Sequence, residues 1–193
     1  SGISPRKGSS NNWLRVMREA QNLGLITSAT NVFGFGESHV ERVEHMEKIR
    51  SLQSETVAQG NPGFTSFISW PVMLENNAFG KLGLRRNSTG LGAGAVEYLR
   101  HVSVSRIFMN NIDHIQSSWP TMGLEVAQIA LSGGADDIGS TMMEENVVSA
   151  SGTTKTMASV DELERAILQS GFIPAVRDSE YNILNVLEQD LVS

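Results

Sequence analysis

Short apolar runs and amphipathic stretches alternate along this chain. Residues rich in β-branched and aromatic side chains predict strands at 25–30, 64–70, 112–117 and 135–140. Apolar positions at helical spacing predict helices at 12–23, 38–53, 93–108, 120–131 and 159–170. Because helices separate the successive strands, the pattern predicts an α/β fold with a parallel sheet and crossover helices.

Local signals mark several of the helix boundaries. Ser38 and Ser159 each stand three residues before a glutamate, which is the spacing of a capping box. Gly24 follows the first predicted helix as a C-terminal stop, and Pro120 stands at the favoured first position of another helix. These signals support the helical assignments that the apolar spacing suggests.

Four strand–helix units make up half of a (β/α)8 TIM-type barrel, so we predict a half-barrel of about four parallel strands with flanking helices. An open, doubly wound sheet is the alternative. On the half-barrel interpretation, residues 1–11 are a loose leading segment, 12–148 form the half-barrel, and 149–193 are a linker and a helix that packs on it. A half-barrel leaves its interior and two sheet edges exposed, so we expect a homo-oligomer or a complementary half-barrel as partner.

Composition narrows the classes of function. The chain has 193 residues, of which 40% are hydrophobic and 19% charged, as is typical of a folded globular domain. The formal net charge of -6 argues against general nucleic-acid binding, because no basic face is visible. The chain has no cysteine, and its four histidines show no HxxxH or HxH spacing, so we expect no metal site built from this chain. It contains neither a membrane-length apolar run nor an apolar leader, so we expect a cytoplasmic protein without a membrane partner.

The stretch LITSATNVFGFGE, residues 25–37, predicts a strand that opens into a loop and ends on an acid before a helix. Gly34 and Gly36 allow a positive φ or a close approach of the backbone to a ligand. In α/β folds, ligands gather at the carboxyl ends of the strands, so this loop is the first candidate site. The alternative is a purely structural turn, since any strand–loop–helix connection favours glycines and an acid such as Glu37.

Candidate substrate contacts follow two other predicted strands. Gln116, Ser117, Ser118 and Trp119 come at the end of the third strand, where a barrel places groups that contact the substrate. Polar capping of a short strand and a core tryptophan are the alternative. Trp70, at the end of the second strand, is either the floor of a substrate pocket or a packing residue.

Charged groups near the last strands are candidates for acid–base chemistry. Asp136, Asp137 and the pair Glu144–Glu145 bring carboxylates to the mouth of the fourth strand. Two carboxylates can divide acid and base roles when their environments separate their pKa values. His114 is a candidate proton acceptor. A solvated acidic turn and a structural histidine are the alternatives.

Residues 72–92 form a long connection for a compact domain, and such connections are commonly functional or mobile. Arg85 and Arg86 lie within it, and a guanidinium group binds a carboxylate in bidentate fashion. A solvated pair of loop arginines is the alternative interpretation.

Several segments together resemble a known enzyme family. They are WLRVMREAQNLGLITSAT, NVFGFGE, ERVEHMEKIRSLQ, GFTSFISW, NIDHIQSSW, AQIALSGGADDIGSTMMEENVV and GFIPAVRD, spread over residues 3–185. The chain resembles the carboxyl-terminal half of the radical S-adenosylmethionine enzymes of the futalosine route to menaquinone, whose relatives include the deazaflavin-cofactor synthase. Trp70 after FIS favours the dehypoxanthine futalosine cyclase branch of this family over the aminofutalosine synthase branch.

The resemblance implies a reaction for the parent enzyme. A 5′-deoxyadenosyl radical would abstract a hydrogen from the ribose part of dehypoxanthine futalosine, and the sugar radical would add to the benzoate ring. The family's 4Fe–4S cluster is held by a CxxxCxxC motif in the amino-terminal half, so this chain alone is expected to be inactive. That missing half is then the expected partner, and S-adenosylmethionine the expected cofactor.

The resemblance also implies which residues form the site. The family's matching loop lies beside the adenosine of S-adenosylmethionine, which assigns cofactor contact to Thr30, Val32, Gly34 and Glu37. We predict substrate-binding roles for Trp70, Arg85, Gln116, Ser117 and Trp119, with Arg85 facing the benzoate. We predict catalytic roles for Asp137, Glu144 and His114. Two departures concern this site: the family often has a histidine within the stretch that reads FGFGE here, and an asparagine in place of Asp136.

Two functions of other classes remain alternatives. One is a noncatalytic nucleoside-binding or assembly module that self-associates through its open sheet edges. The other is a phosphate-binding half-barrel in which Gly133, Gly134 and the last strand loop hold the anion.

Overall fold

The structure is a computed structural model that describes residues 8–74, 91–141 and 157–187. The helices are α1 (Ser10–Asn22), α2 (His39–Ala58), α3 (Ala95–Phe108), α4 (Trp119–Met122), α5 (Leu124–Ser132) and α6 (Val160–Gln169). The strands are β1 (Thr27–Phe33), β2 (Phe64–Pro71), β3 (His114–Gln116), β4 (Ala175–Arg177) and β5 (Ile183–Val186). Strands β1, β2 and β3 form a parallel sheet in that order, and β4 and β5 pair as an antiparallel hairpin. The prediction of an α/β fold with parallel strands is confirmed.

One face of the parallel sheet is covered by helices, and we call it the helical face. Ala29, Phe67 and Ile115 are register partners on this face, and at most 2% of each is exposed. They share one hydrophobic core with residues of α2 and α3, namely Met46, Ile49, Tyr98 and Val102. This continuous apolar layer is what stabilises the sheet, because burial of apolar surface is the main favourable term in folding.

Helix α1 packs at the amino-terminal end of β1, where a buried glutamine hydrogen-bonds to β1 and α2. The Gln21 amide donates to Thr27 Oγ1 at 2.9 Å, and Thr56 Oγ1 donates to Gln21 Oε1 at 2.8 Å. Trp13 stacks on Phe64 with ring centroids 5.9 Å apart. The glutamine is completely buried, and it joins α1, β1 and α2 because each of its polar atoms has a partner.

The first strand starts and ends later than the pattern predicted. The Leu25 amide donates to the Ala20 carbonyl at 3.0 Å, so it belongs to the C-terminal cap of α1. Gly24 has a φ of +78°, the left-handed conformation that such a cap requires. Strand β1 therefore runs from Thr27 to Phe33 and not from Leu25 to Thr30.

The predicted fourth strand is reduced to a single bridge. Within 135–140, Asp137 is the position that bridges in parallel to β3. The Asp136 carboxylate accepts from the Ile115 amide at 2.7 Å, so a side chain takes up a donor on the edge of β3. Gly139 then has a φ of +85°, which takes the backbone out of the extended region. The chain still lies beside β3, but it does not form a regular ladder.

Two further details differ from the pattern. The helix predicted at 120–131 is interrupted at Gly123, whose φ of +84° and ψ of 159° are not helical, so it becomes α4 and α5. The hairpin of β4 and β5 was not predicted, because its sequence lacks a two-residue turn signal. Among the described helices, none is long and apolar enough to cross a membrane.

Candidate functional site

The second face of the parallel sheet, which we call the open face, carries six of the predicted site residues in three layers. Thr30 pairs in register with Ile68, and Ile68 with Gln116, which in turn bridges to Asp137. These four residues form the central layer of the open face, because register partners in a parallel sheet point to the same side. Ala29, Phe67 and Ile115, which precede Thr30, Ile68 and Gln116 in their strands, are buried on the helical face, whereas Thr30, Ile68 and Gln116 are only half-buried.

Two more layers flank the central one. The upper layer, towards the carboxyl ends of the strands, holds the register pair Val32 and Trp70. Val32 is 46% exposed, and Trp70 is half-buried. The lower layer holds the register pair Ser66 and His114. The structure thus brings together Thr30, Val32, Trp70 and Gln116, the first two of which were predicted to contact the cofactor and the last two the substrate.

The loop after β1 is held in place by Glu37. The Glu37 carboxylate accepts from the Gly34 amide at 2.7 Å and from the Phe35 amide at 2.6 Å. Gly34 has a φ of +92°, and its carbonyl accepts from the Gly92 amide at 2.6 Å. The acid and the glycine thus shape the loop from within, so that the loop stands preformed above β1.

Arg42 connects this loop to two helices. Its guanidinium donates to Glu37 at 2.7 Å and to Glu97 of α3 at 2.7 Å, and it lies 4.8 Å over the centre of the Phe33 ring. Burial raises the pKa of Glu37, but the hydrogen bonds from Gly34, from its own backbone and from Arg42 together outweigh it and lower the pKa. Glu37 is therefore an ionised acceptor at neutral pH.

A buried histidine that the sequence analysis did not single out lies behind the loop, on the helical face. His101 Nε2 lies 3.0 Å from Ser69 Oγ, and its ring stacks on Phe33 at a centroid distance of 4.3 Å. Burial, together with the charge of Arg42, lowers the pKa of His101 to about 4. The ring is therefore neutral near pH 7 and packs as an uncharged side chain. Its position on the apolar side of a predicted helix was the signal that could have identified it.

The segment after β3 is packed into the core. Ser117, Ser118 and Trp119 are each at most 2% exposed. The Ser118 amide donates to Tyr98 Oη at 2.6 Å, and Trp119 Nε1 donates to the Ser140 carbonyl at 3.1 Å. Ser117 and Trp119, for which substrate-binding roles were predicted, are therefore buried, and both side chains hydrogen-bond within the chain.

Asp137 is surrounded by donors. Its Oδ2 atom accepts from Arg177 Nη2 at 2.5 Å and from Tyr181 Oη at 2.7 Å, and its Oδ1 atom accepts from the Gly139 amide at 2.8 Å. The side chain is only 9% exposed. Both carboxylate oxygens are therefore engaged in holding the structure, which favours an anchoring role for this residue over the predicted catalytic one.

His114, in the lower layer of the open face, also contacts the hairpin and a neighbouring aspartate. Its ring stacks on Tyr181 with centroids 3.9 Å apart and planes 6° from parallel, and its Nδ1 lies 2.7 Å from Asp136 Oδ2. Arg177 covers the other side of this arrangement, with its guanidinium 4.0 Å from the centre of the Tyr181 ring. We call Asp136, Asp137, His114, Arg177 and Tyr181 the anchor cluster. Sequence analysis named its two aspartates and its histidine but missed Arg177 and Tyr181.

Two predicted site residues are not among the residues that the structure describes. Arg85, assigned to the substrate carboxylate, and Glu144, assigned to catalysis, lie outside the described residues, as do their neighbours Arg86 and Glu145.

A family model described as the CofH/MqnC C-terminal region matches residues 61–190, which is more than half of the chain. The chain belongs to the CofH/MqnC C-terminal region family.

Three relatives in this family are similar to nearly the whole length of this chain. The cyclic dehypoxanthine futalosine synthase of Halalkalibacterium halodurans is 40% identical over 176 residues, which are 91% of this chain and 44% of that protein. The enzyme of the same name from Streptomyces coelicolor is 40% identical over 95% of this chain and 43% of its own length. The aminodeoxyfutalosine synthase of Thermus thermophilus is 35% identical over 97% of this chain and 48% of its own length. The chain thus spans less than half the length of each of these relatives.

The CofH/MqnC C-terminal region match includes most of the site described above. Trp70, Gln116 and the anchor cluster lie within residues 61–190, whereas Thr30, Val32 and the loop from Gly34 to Glu37 precede them. The family region therefore contains two of the three described strands of the open face and the whole hairpin.

This chain lacks the cysteine ligands that an iron–sulfur cluster requires. Iron–sulfur clusters are held mainly by cysteine thiolates, and the 193 residues contain no cysteine. Across residues 8–74, 91–141 and 157–187, no group of three or more histidine, cysteine, aspartate or glutamate side chains is placed to hold a metal ion. A cluster that serves this site would have to be held by residues outside this chain.

Proposed function

We propose that this chain is the carboxyl-terminal half of an enzyme that cyclises dehypoxanthine futalosine, and that its open face is one wall of the reaction cavity. The observation that carries the proposal is the set of register-paired side chains Thr30, Val32, Trp70 and Gln116 on that face. The similarity to two proteins named cyclic dehypoxanthine futalosine synthase supports the choice of substrate.

The half-barrel is part of this proposal. The sequential order of the parallel strands, with α2 and α3 packed on one face and a half-buried opposite face, supports a barrel segment. A cavity of ≈ 660 Å³ lies beside the segment 135–141, between α6 and the hairpin, and apolar residues such as Leu163, Ile167 and Ile173 line it. A complementary half-barrel would add strands at this edge and fill the cavity.

The described residues divide between contact and support in this proposal. Thr30 and Val32 lie on the β1 side of the open face and would contact the adenosine of S-adenosylmethionine. Trp70 offers an aromatic surface for a base or a benzoate ring, and the Gln116 amide can hydrogen-bond a ribose hydroxyl. S-adenosylmethionine supplies a radical initiator when it is bound together with its cluster, and the cluster's ligands would come from the amino-terminal half of the proposed enzyme.

The remaining predicted residues keep narrower proposed roles. Gly34 and Glu37 would shape the loop over the cofactor, and Asp137 would anchor the hairpin. His114 stays a candidate proton acceptor, with Tyr181 stacked on its ring. Glu144 stays a candidate acid–base residue, and Arg85 a candidate partner for the substrate carboxylate. By itself the chain would be inactive, since it lacks ligands for the cluster.

The test uses the full-length protein that contains this chain, reconstituted anaerobically with iron and sulfide. We expect it to cleave S-adenosylmethionine only with dehypoxanthine futalosine present, and to form a cyclic product. Trp70→Ala and Gln116→Ala should each lower kcat/KM at least about tenfold, because each removes a contact made directly to the substrate. Ile107→Ala, at an exposed position on α3, is the matched control and should leave kcat/KM unchanged.

Two outcomes would reject the proposal. One is a full-length gene product without a cysteine triplet ahead of this region, and the other is full activity in both variants. Binding of nucleosides without any turnover would instead favour the noncatalytic module.

The phosphate-binding alternative has less support. Gly133 and Gly134 follow the C-terminal end of α5, where the helix dipole disfavours an anion. Arg106 Nε already donates to the Gly134 carbonyl at 2.6 Å. Calorimetry of the chain with a phosphosugar should therefore give no saturable heat.

A further inference from the structure

We propose that the carboxyl-terminal hairpin forms the floor of the reaction cavity proposed for the open face, and that Tyr181 and Arg177 are positioning residues for Gln116. The inference rests on the proposed function for the identity of the ligand, a nucleoside-type substrate. The geometry that carries it concerns described residues only and does not depend on that identity.

The turn of the hairpin places Tyr181 in a defined orientation. Asp178 accepts from the backbone amides of Glu180 and Asn182 at 2.8 and 2.9 Å and from the Asn182 side chain at 2.9 Å. Tyr181 has a φ of +65°, a conformation that residues other than glycine adopt infrequently. A turn braced in this way directs the aromatic ring out of the hairpin and onto the sheet.

The Tyr181 ring covers the lower layer of the open face. It stacks on His114, whose register partner is Ser66, and both lie one layer below Ile68 and Gln116. Burial and the negative charge of Asp137 raise the pKa of Tyr181, and the Ser66 hydroxyl offsets part of this rise. The phenol therefore keeps its proton near pH 7 and acts as a hydrogen-bond donor. Its ring closes the open face directly beneath the central layer.

The hairpin is connected to Gln116 through two residues. Asp137 accepts from Tyr181 and Arg177 with one oxygen and from the Gly139 amide with the other. Gly139 in turn lies against the Gln116 amide, since a Cβ placed on Gly139 would be 2.6 Å from Gln116 Nε2. The turn at 137–139 thus lies against this amide and limits where the amide can lie.

This connection explains why a distant hairpin would influence a substrate contact. Without the tyrosine hydroxyl, Asp137 keeps Arg177 but loses one of its three donors, so the turn at 137–139 is held less firmly. The Gln116 amide would then sample other orientations, which weakens binding of a ribose hydroxyl without removing any reacting group. The expected effect is therefore on KM more than on kcat.

The first test follows hydrogen exchange by mass spectrometry in the 193-residue chain, with no ligand. Tyr181→Phe keeps the ring and its stacking but removes the hydroxyl. We expect exchange at least about threefold faster in peptides that cover 114–118 and 135–141, because the Ser117 and Gly139 amides bond to Asp137. Glu180→Ala, at the adjacent exposed position, should match wild type. Faster exchange confined to the hairpin, or none, would overturn the proposal.

The second test is a double-mutant cycle in the reconstituted full-length protein. Tyr181→Phe should raise KM about fivefold, the effect of losing one hydrogen bond, and change kcat less than twofold. In a Gln116→Ala background the same substitution should have no further effect on KM, because Tyr181 acts through Gln116. Additive effects, or a loss in kcat alone, would overturn the positioning role. A wild-type protein that does not turn over the substrate would reject the proposed function, and the exchange experiment would then still decide the role of the hairpin.

Discussion

His101 is a buried base whose protonation depends on folding. Its ring is stacked on Phe33 and bonded to Ser69, and it is 5% exposed. Burial and the neighbouring Arg42 lower its pKa to about 4, and the acid Glu37 opposes this shift only in part. An unfolded chain would have a histidine pKa of about 6.5 at this position. The folded state therefore requires the neutral ring.

The free energy of unfolding should decrease as the pH is lowered from the unfolded to the folded pKa of His101. Between about pH 6.5 and pH 4 the unfolded chain takes up a proton at this site that the folded chain excludes. The contribution is complete above the unfolded pKa and is lost by about 1.4 kcal/mol for each pH unit below it, up to about 3 kcal/mol. The variant His101→Gln should lack this part of the slope in urea unfolding between pH 7 and pH 4. His39→Gln, an exposed control at the start of α2, should keep it, and equal slopes in all three proteins would contradict the prediction.

Gly34 has a positive φ and also lies close to Gly92. Gly24 has a positive φ without a close neighbour, so a comparison of the two distinguishes the cost of the backbone conformation from the cost of the contact. A Cβ on Gly34 would lie 3.0 Å from the carbonyl carbon of Gly92, whereas a Cβ on Gly24 would meet nothing within 4 Å. Gly24→Ala should cost about 1–2 kcal/mol in the free energy of unfolding, the cost of left-handed backbone. Gly34→Ala should cost about 1–3 kcal/mol more, the cost of overpacking. Urea unfolding of both variants at equal protein concentration tests this, and equal costs would mean that the contact with Gly92 is unimportant.

At this scale the sequence predicts residues whose role follows from their place on a strand. Thr30 and Val32 share one face of β1 because side chains alternate along a strand, and Gln116 is the last residue of β3. Tyr181 and Arg177 could not be predicted, because their common partner Asp137 is 44 and 40 residues earlier in the chain. The anchoring role of Asp137 depends on these distant donors, and an acidic pair alone does not indicate them.

At the scale of elements, the sequence predicted helix starts correctly where the capping hydrogen bonds join residues only three positions apart. Both predicted capping boxes are present, since Ser38 bonds Glu41 and Ser159 bonds Glu162 in both directions. The predicted fourth strand was wrong as a regular strand, because the Asp136 carboxylate takes up the Ile115 amide and Gly139 bends the chain. Such side-chain competition with a ladder depends on tertiary neighbours and leaves no periodic pattern in the sequence.

The capping box of α2 offers a direct test at this scale. Ser38→Ala removes the acceptor for the Glu41 amide, which lies 3.2 Å from Ser38 Oγ. We expect a loss of about 1 kcal/mol in the free energy of unfolding, and less helical content in the first turn. Ser51→Ala is the matched control, since Ser51 lies on the exposed side of the same helix and should change stability by less than about 0.5 kcal/mol. Equal effects of the two variants in thermal unfolding would contradict the prediction.

For the whole molecule, the alternation of strands and helices predicts parallel order but not closure. Closure into a barrel depends on the tilt and stagger of the strands, which hydrophobic periodicity does not specify. Apolar side chains are exposed at two places: Leu23, Leu25 and Ile26 precede the outer strand β1, and Ile183 and Leu184 lie on the hairpin, where Ile183 lines the cavity beside the segment 135–141. Exposed apolar surface next to open strand edges is typical of an interface.

We therefore expect the isolated chain to self-associate through these two places. Light scattering should give a mass that is a multiple of 21.0 kDa. Leu23→Asp and Leu184→Asp should each shift the mass towards 21.0 kDa, because a charge at a buried interface is costly to desolvate. Ile107→Asp is the control: Ile107 and Leu23 are both 79% exposed, but Ile107 lies on the outer helix α3, so the mass should not change. A wild-type chain that stays a compact 21.0 kDa species would contradict the half-barrel, since such a molecule needs no complementary strands.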